Sequence, residues 1–382
     1  MVKKEKQKTA YLSSLTSLRG IAALLVILFH FDVVFSRLAA PDSPFFIRKG
    51  YLWVDFFFLL SGFIIMHVYG KSFSNGLNFQ NFKQFMRARF ARIYPLHIFS
   101  FLSVIALFIW YRGHYELNAI DKINFDLKAI PTNLLLLQSM GFHKYLSWDT
   151  PSWSISTEWW MYVAFPFVLV PFRKVVAWKK RAVLLFIIIG YLFIIYYLYP
   201  LSKAASPFPS AEKNYLLDVT YDYGFFRCFL GFLFGMLLYE FYRIKWGYSY
   251  LKKSGALLLS TAIIFVALSL KIPDIITVMI FGSIILMSAY TEGAGKLFLN
   301  LKPLVFLGDI SYSLYLMHMP LLFLMLFLAK KYPMMISTSL AVSWLYFLAY
   351  LASVMIISTL TYNFVEVPMR KRINPSLHQR NN

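Results

Sequence analysis

Ten apolar stretches divide this 382-residue sequence, and each is long enough to cross a lipid bilayer as an α-helix. Hydrophobic residues make up 59% of the chain and charged residues 14%, whereas soluble domains are about 25% charged. Backbone polar groups inside a bilayer must be satisfied internally, so we predict an all-α polytopic, multi-pass protein of the cytoplasmic membrane with about ten transmembrane helices. The predicted spans are residues 18–36, 51–70, 93–111, 152–172, 182–199, 224–242, 254–270, 273–290, 304–329 and 338–364.

Lysine and arginine residues predict how the chain is oriented, because cytoplasmic loops carry an excess of both. The N-terminal segment MVKKEKQK is placed inside on this basis, and alternation then assigns 24 basic residues to cytoplasmic segments and 12 to external segments. We therefore expect both termini in the cytoplasm, with a basic tail at 1–12, one membrane domain at 13–372 and a C-terminal tail at 373–382. The net charge of +21 follows from this topology, which argues against a nucleic-acid partner.

The first span carries two ionisable residues, Arg19 and His30, within the sequence LRGIAALLVILFHFDVVF. They are 11 residues apart, which is three helical turns plus about 20°, so both side chains lie on one helix face and about 16 Å apart along the axis. Ionisable groups inside a membrane are costly and indicate a functional site. The alternative is structural: an arginine that reaches the membrane surface and a histidine satisfied by a neighbouring helix.

Three further spans place an ionisable residue at a depth similar to that of His30. With the orientation above, helix rise puts His30 about 18 Å and His318 about 21 Å above the cytoplasmic ends of their spans. Asp55 and Glu158 lie about 6 Å and 9 Å below the external ends of theirs. We predict that all four lie in one layer in the outer half of a core about 30 Å thick, although depth alone does not show that they face one another.

A second, cationic layer is predicted at the inner surface. Arg19 begins the first span, and Arg89 and Arg92 share one helix face in FMRARFARIYP because they are three residues apart. Guanidinium groups bind phosphate through paired hydrogen bonds, so this layer suits a phosphorylated ligand. Ordinary anchoring of positive charge at the cytoplasmic surface is the alternative explanation.

Several other residues have a structural interpretation. Arg227 lies inside a span and is expected to pair with a buried Asp or Glu. Gly62, Gly231 and Gly235 are expected to allow close approach between helices. The single cysteine, Cys228, excludes an intramolecular disulfide and a CxxC metal site, and we predict no metal.

Seven motifs occur in order between residues 12 and 372, and together they resemble one protein family. The chain is similar to the integral membrane acyltransferases of acyltransferase family 3, which includes O-antigen and exopolysaccharide O-acetyltransferases. The matching elements are LTSLRGIAALLVILFHF, WVDFFFLLSGFI, the RxxR before IYPLH, PSWSISTEWWMYVAFP, RCFLGFLFGMLL, LGDISYSLYLMHMPLL and VEVPMRKR.

The resemblance implies roles for the ionisable residues. In the family, the Arg and His of the first helix are required for activity, and the RxxR pair is tied to cytoplasmic acyl-CoA. The Glu of the SxxxE motif, here Ser154 to Glu158, belongs to the active region. The predicted catalytic residues are His30, Glu158 and Asp55, the predicted acyl-CoA-binding residues are Arg19, Arg89 and Arg92, and the predicted substrate-binding residues are His318, Trp153 and Ser154.

We therefore expect an O-acyltransferase that moves an acyl group, with acetyl favoured, from cytoplasmic acyl-CoA to a hydroxyl of an envelope or secreted glycan. Acyl-CoA is a co-substrate without any tightly bound cofactor, and the acceptor is a glycan or a lipid-linked glycan. His30 is the expected general base, oriented by Asp55 or Glu158. Some relatives carry a fused extracytoplasmic domain that receives the acyl group, and we expect none here because the chain ends soon after span ten. Whether the protein forms a homo-oligomer is left open.

Two other classes of protein fit parts of the sequence. A membrane transporter of an anionic or lipid-linked glycan would also have many spans, intramembrane charges and a cationic inner mouth. It would be expected to show internal pseudo-symmetry, and we find no repeat in the sequence. A scaffold subunit of a polysaccharide synthase would leave His30 and Glu158 without a catalytic role.

Overall fold

The computed structural model describes residues 11–38, 46–73, 76–176, 179–202, 216–335 and 339–375. Helices dominate these ranges, and no β-strand occurs within them. The all-α fold class predicted from the sequence is confirmed.

Ten long helices form the body of the described structure, and each overlaps one predicted span: α1 (Ser13–Val34), α2 (Trp53–Tyr69), α3 (Phe79–Arg112), α4 (Ser152–Lys174), α5 (Lys180–Phe193), α6 (Gly224–Arg243), α7 (Ser254–Ser269), α8 (Asp274–Tyr290), α9 (Ser311–Lys331) and α10 (Leu340–Thr361). Helix α3 begins well before the span predicted at 93–111, and the span predicted at 304–329 is divided between Lys302–Asp309 and α9. Helix α5 continues through a π-helical turn at Ile194–Leu198 into Tyr199–Leu201. Helix α10 continues in the same way through Tyr362–Glu366 into Val367–Ile373.

Shorter helices connect these ten. Five are α-helical: Ala119–Asn124, Ile130–Leu134, Tyr248–Leu251, Gly293–Leu299 and Lys302–Asp309. Four are 3-10 turns: Arg48–Leu52, Gly70–Phe73, Leu127–Ala129 and Pro333–Met335.

Length and apolar composition make eight helical segments in the described ranges able to cross a membrane. The number rises to nine if Asp274–Tyr290 and Gly293–Leu299, which are bent by 101° relative to each other, form one span. Helix α7 is apolar but only 16 residues long. The polytopic membrane architecture is thus confirmed, while the cytoplasmic location of both termini stays a prediction.

Helices α2 and α6 pack against each other over most of their length. A Cβ atom built on Gly62 would lie 2.0 Å from the Phe232 carbonyl oxygen, and one on Gly235 would lie 1.9 Å from the Leu59 carbonyl oxygen. A Cβ atom on Gly231 would lie 2.9 Å from Cβ of Phe58 on α2. Any side chain at these positions would force the two helices apart, so the predicted role of the glycines in close helix approach is confirmed.

We expect Gly235→Ala to lower the free energy of unfolding by about 1–3 kcal/mol, because the added methyl group overpacks the contact between α6 and α2. Gly255→Ala is the matched control, since a Cβ atom there has no neighbour within 4 Å and alanine favours the helix. Thermal unfolding of the detergent-purified variants measures both. Equal stability of the two variants would contradict the close helix contact.

Helix α1 packs against α9 and against the short helix Lys302–Asp309 that precedes it. Gly20 and Gly308 allow this contact, because a Cβ atom on Gly20 would lie 2.6 Å from the backbone nitrogen of Gly308. Helix α9 also packs against α3 and α10. As a result α1 and α9 run side by side in one direction, with Arg19 at the Gly308 end and His30 about 16 Å further along.

Candidate active site

One cavity of about 120 Å³ lies between α1, α2, α3, α4 and α9. It brings together five of the nine residues predicted to form the site: Arg19, Arg89, Arg92, Ser154 and Glu158. Its wall also includes five hydroxyl side chains that the sequence did not assign to the site: Ser61, Tyr162, Ser311, Tyr312 and Tyr315. The arginines and Glu158 therefore share one space, although the sequence placed them in separate layers.

Two of the cavity arginines each have a hydrogen-bond donor for which the described part of the chain supplies no acceptor. Arg19 donates from Nη2 to the Gly308 carbonyl oxygen over 3.3 Å, and Arg89 donates from Nη2 to the Tyr69 hydroxyl over 3.0 Å. The Arg89 guanidinium also lies over the Tyr69 and Tyr162 rings. The Nε–H groups of Arg19 and Arg89 are buried and unpartnered, which is costly unless a ligand oxygen accepts them.

The third arginine, Arg92, is held by a buried acidic residue. Its Nη1 donates to Glu366 Oε1, and Ser313 Oγ donates to Glu366 Oε2 over 2.9 Å. The Glu366 carboxylate neutralises part of the charge of Arg92. Arg19 and Arg89 are therefore more available than Arg92 to bind an anionic ligand. The sequence did not lead us to assign Glu366 to the site. The feature that could have indicated a role for it is its position in the VEVPMRKR motif.

Glu158 is held on the cavity wall by two hydroxyl groups. Its Oε1 accepts hydrogen bonds from the Ser61 hydroxyl and from the Tyr162 hydroxyl, the latter over 2.5 Å. Tyr162 lies four residues after Glu158 on α4, so the two side chains are neighbours on one helix face. That spacing could have been noted in the sequence, whereas the approach of Ser61 from α2 depends on the fold.

His30 and His318 contact each other beyond one end of the cavity. His318 Nδ1 lies 2.7 Å from the Tyr315 carbonyl oxygen and therefore carries its hydrogen, which leaves the Nε2 lone pair facing His30 Nδ1 at 3.3 Å. His30 Nδ1 also lies 3.0 Å from the Val26 carbonyl oxygen, so it carries a hydrogen that both acceptors share. For two neutral rings, this pattern assigns the free basic lone pair to Nε2 of His30.

Tyr315 lies between the cavity and the histidine pair. Its hydroxyl contacts Ser154 Oγ at 2.7 Å, and its ring lies 5.8 Å from the ring of Phe57 on the cavity wall. On the other side, its ring centre is 6.0 Å from that of His318, which in turn is 4.9 Å from that of His30. Tyr315 therefore links the cavity wall to the two histidines through packed side chains.

Asp55 lies in a buried ion pair with Arg227. Arg227 donates from Nε to Oδ1 over 2.9 Å and from Nη2 to Oδ2 over 2.6 Å, and both side chains are fully buried. Trp153 packs over the same guanidinium, which lies 5.6 Å from its ring centre, and it does not line the cavity. The expected pairing of Arg227 with an acidic residue is confirmed.

The four residues predicted to share an outer layer thus take different places. Only His30 and His318 contact each other, while Glu158 lies on the cavity wall and Asp55 pairs with Arg227. The expectation that a carboxylate orients His30 needs correction, because its imidazole is held by a backbone carbonyl and by the second histidine. Asp55 does not orient His30 because its carboxylate oxygens accept both hydrogen bonds of a guanidinium fork.

A buried carboxyl group supports the helix that carries His318. Asp149 precedes α4, and its Oδ2 lies 2.6 Å from Ser100 Oγ, which is 3.0 Å from the Leu316 carbonyl oxygen on α9. Burial raises the pKa of the Asp149 carboxyl to about 7, because desolvation outweighs the hydrogen bond from Ser100. This contact ties α9 to α3 at a point two residues before His318.

Comparison with known proteins gives the class of this site. The sequence model of a family described as "Acyltransferase domain" matches residues 12–363, which cover α1 to α10 and every residue on the cavity wall. The protein is therefore a membrane acyltransferase. The chain belongs to acyltransferase family 3, so the resemblance inferred from its motifs is confirmed.

Individual relatives cover the chain to different extents. It is 40% identical over 153 residues to "Protein 2 in picA locus" of Rhizobium radiobacter, which covers 38% of this chain and 75% of that protein. It is 32% identical over 160 residues to "Acyltransferase MdmB" of Streptomyces mycarofaciens, or 41% of this chain and 38% of that protein.

A third relative aligns along almost the whole chain. "Peptidoglycan O-acetyltransferase OatA" of Listeria monocytogenes is 22% identical over 373 residues, which is 94% of this chain and 56% of that protein. The chain thus spans only about half of OatA. No solved structure matches the chain.

Proposed function

We propose that this protein transfers an acyl group, with acetyl favoured, from acyl-CoA to a hydroxyl group of an envelope or secreted glycan. The observation that carries the proposal is the cavity, where two arginines with unpartnered donors and a hydrogen-bonded glutamate share one wall close to a histidine pair. The relative named as a peptidoglycan O-acetyltransferase supports acetyl as the group and a glycan as the acceptor.

Acyl-CoA brings several phosphate charges to the arginine end of the cavity. Phosphate oxygens would accept the buried Nε–H groups of Arg19 and Arg89, which removes the cost of leaving those donors unpaired. Arg92 adds positive charge at the same wall. The pantetheine arm is long and thin, so the thioester can pass from the arginines toward Tyr315.

His30 is the general base for the acceptor hydroxyl in this proposal. Its Nε2 lone pair takes the proton while the hydroxyl oxygen forms a bond to the acyl carbon, and imidazole suits this step because its ordinary pKa lies near neutral pH. His318 accepts the Nδ1–H of His30 and is a positioning residue, because this contact fixes the His30 tautomer and stabilises the imidazolium ion.

Donor and acceptor are proposed to meet across the cytoplasmic membrane. The excess of lysine and arginine in alternate loops supports an arginine layer on the cytoplasmic side and a histidine pair nearer the external side. The partners are then acyl-CoA on one face, a glycan or lipid-linked glycan on the other, and the lipid bilayer between them.

Mass spectrometry of cell-surface glycans from wild-type cells and a deletion strain tests the reaction and the acceptor together. We expect a glycan in the deletion strain that lacks one acyl group per modified sugar and is otherwise complete. Loss of the entire polymer from the surface, with no unacylated form, would contradict the proposal and point to a role in export.

Arg89→Ala is expected to raise KM for acetyl-CoA by about 10- to 100-fold, because a hydrogen bond to a charged group contributes about 1.5–3 kcal/mol. Arg87→Ala is the matched control on the same helix, since Arg87 is exposed and donates to the Ile373 carbonyl oxygen away from the cavity. Steady-state kinetics of the purified proteins measure both variants. An equal KM in the two would place the coenzyme elsewhere.

A further inference from the structure

The hydrogen bond between Ser61 and Glu158 has a chemical consequence beyond the shape of the cavity. Ser61 Oγ donates to Glu158 Oε1, and both side chains lie on the cavity wall. Each is half-buried, so each is reached from the cavity. A hydroxyl held by a carboxylate in a site for an activated ester is the arrangement of a nucleophile with its base.

We propose that Ser61 is a nucleophile that carries the acyl group as a covalent ester between the donor and the acceptor. The inference rests on the proposed function, because it requires an acyl thioester in the cavity. The base is itself positioned, since Tyr162 donates a second hydrogen bond to the same oxygen of Glu158 over 2.5 Å. A base oriented by a third group completes the pattern of an activated nucleophile.

The first half-reaction transfers the acyl group to the protein. Ser61 Oγ forms a bond to the carbonyl carbon, the bond between that carbon and the coenzyme A sulfur breaks, and the Ser61 proton passes to Glu158. Coenzyme A leaves as its thiolate. The base of this half-reaction is Glu158, which already accepts the hydrogen bond of the Ser61 hydroxyl, so the half-reaction does not need His30.

The second half-reaction transfers the acyl group to the acceptor. The acceptor oxygen forms a bond to the carbonyl carbon, the bond between that carbon and Ser61 Oγ breaks, and Ser61 takes back its proton from Glu158. The acceptor proton passes to His30 Nε2. His30 then releases a proton to solvent, the thiolate of coenzyme A takes one up, and both bases return to their starting states. Two separate bases thus serve two separate steps.

Labelling of the purified full-length protein tests the ester directly. The protein is incubated with acetyl-CoA that carries a radiolabelled acetyl group, without acceptor, and is then denatured. We expect label on the wild type and on His30→Ala, because only the second half-reaction needs the imidazole. We expect none on Ser61→Ala. Ser353→Ala is the control and retains the label, since Ser353 is exposed and donates to its own helix.

Ser61→Cys makes the result specific to one atom. A cysteine at this position is expected to form a thioester, which neutral hydroxylamine releases, whereas the serine ester of the wild type resists neutral hydroxylamine and yields to alkaline hydroxylamine. This change of lability would not arise from a structural role of Ser61. Thermal unfolding of each variant shows that the chains compared are folded.

The outcomes separate the covalent step from the proposed function. Acetyl transfer to a glycan acceptor at the wild-type rate by Ser61→Ala, or a wild type that transfers acetyl without ever holding label, would overturn the ester and leave the proposed function intact. A wild type that consumes no acetyl-CoA with any glycan acceptor would overturn the proposed function itself.

Discussion

Replacing His30 with alanine will lower the rate of acyl transfer to the acceptor by about 10²- to 10⁴-fold, the contribution of a well-placed general base. The reason is geometric, because His30 Nδ1 is occupied by the Val26 carbonyl oxygen and by His318, which leaves only Nε2 to accept a proton. Binding of acetyl-CoA should be unchanged, since His30 does not line the cavity. Acyl-transfer kinetics and acetyl-CoA binding on the purified protein measure the two effects separately.

The second histidine provides the comparison that tests this assignment. His318→Gln keeps an acceptor opposite His30 Nδ1, so we expect a smaller loss of acyl transfer than for His318→Ala. Wild-type transfer by His30→Ala would show that the base lies elsewhere. If glutamine and alanine at position 318 lowered the rate equally, the hydrogen bond between the two rings would have no part in catalysis.

Much of this architecture could be predicted from residue spacing alone. Apolar length located the ten long helices of the described ranges, and the 11-residue spacing predicted that Arg19 and His30 share one face of α1. In the structure Arg19 contacts Gly308 and His30 contacts His318, which lie on two consecutive helices. Depth along the helix axis predicted His30 and His318 at one level, and in the structure the two rings contact each other, which depth alone did not predict. These inferences need only the positions of residues along a helix, because the rise and turn per residue are the same in every α-helix.

The remaining parts of the site depend on which way each helix is rotated against its neighbours. Asp55 and Glu158 were expected near His30 at similar depths, yet α2 turns Asp55 toward α6 and α4 turns Glu158 toward Ser61. Depth is set by position along the helix, whereas the partner of a side chain is set by packing at residues far apart in sequence. Serine and tyrosine hydroxyls, such as Tyr315, carry no charge that would single them out in an apolar span.

Asp55→Ala is expected to lower the free energy of unfolding by about 3–5 kcal/mol, the usual cost of leaving one member of a buried ion pair uncompensated. Arg227 would then lose both strong acceptors at 2.9 Å and 2.6 Å and would keep backbone carbonyl partners, with Asp218 at 3.8 Å as its nearest carboxylate. Thermal unfolding in detergent measures this loss. An Asp55→Ala variant as stable as the wild type would contradict the contribution assigned to the pair.

Removing both charges separates a structural role of Asp55 from a catalytic one. In Asp55→Leu/Arg227→Met, no charge of the pair remains buried, and replacement of an ion pair by apolar side chains of similar volume is often neutral or stabilising. We therefore expect the double variant to recover most of the stability lost in Asp55→Ala and to regain acyl transfer, because neither residue lines the cavity. A double variant that is as stable as the wild type but inactive would instead give Asp55 the catalytic role that its depth in the span first suggested.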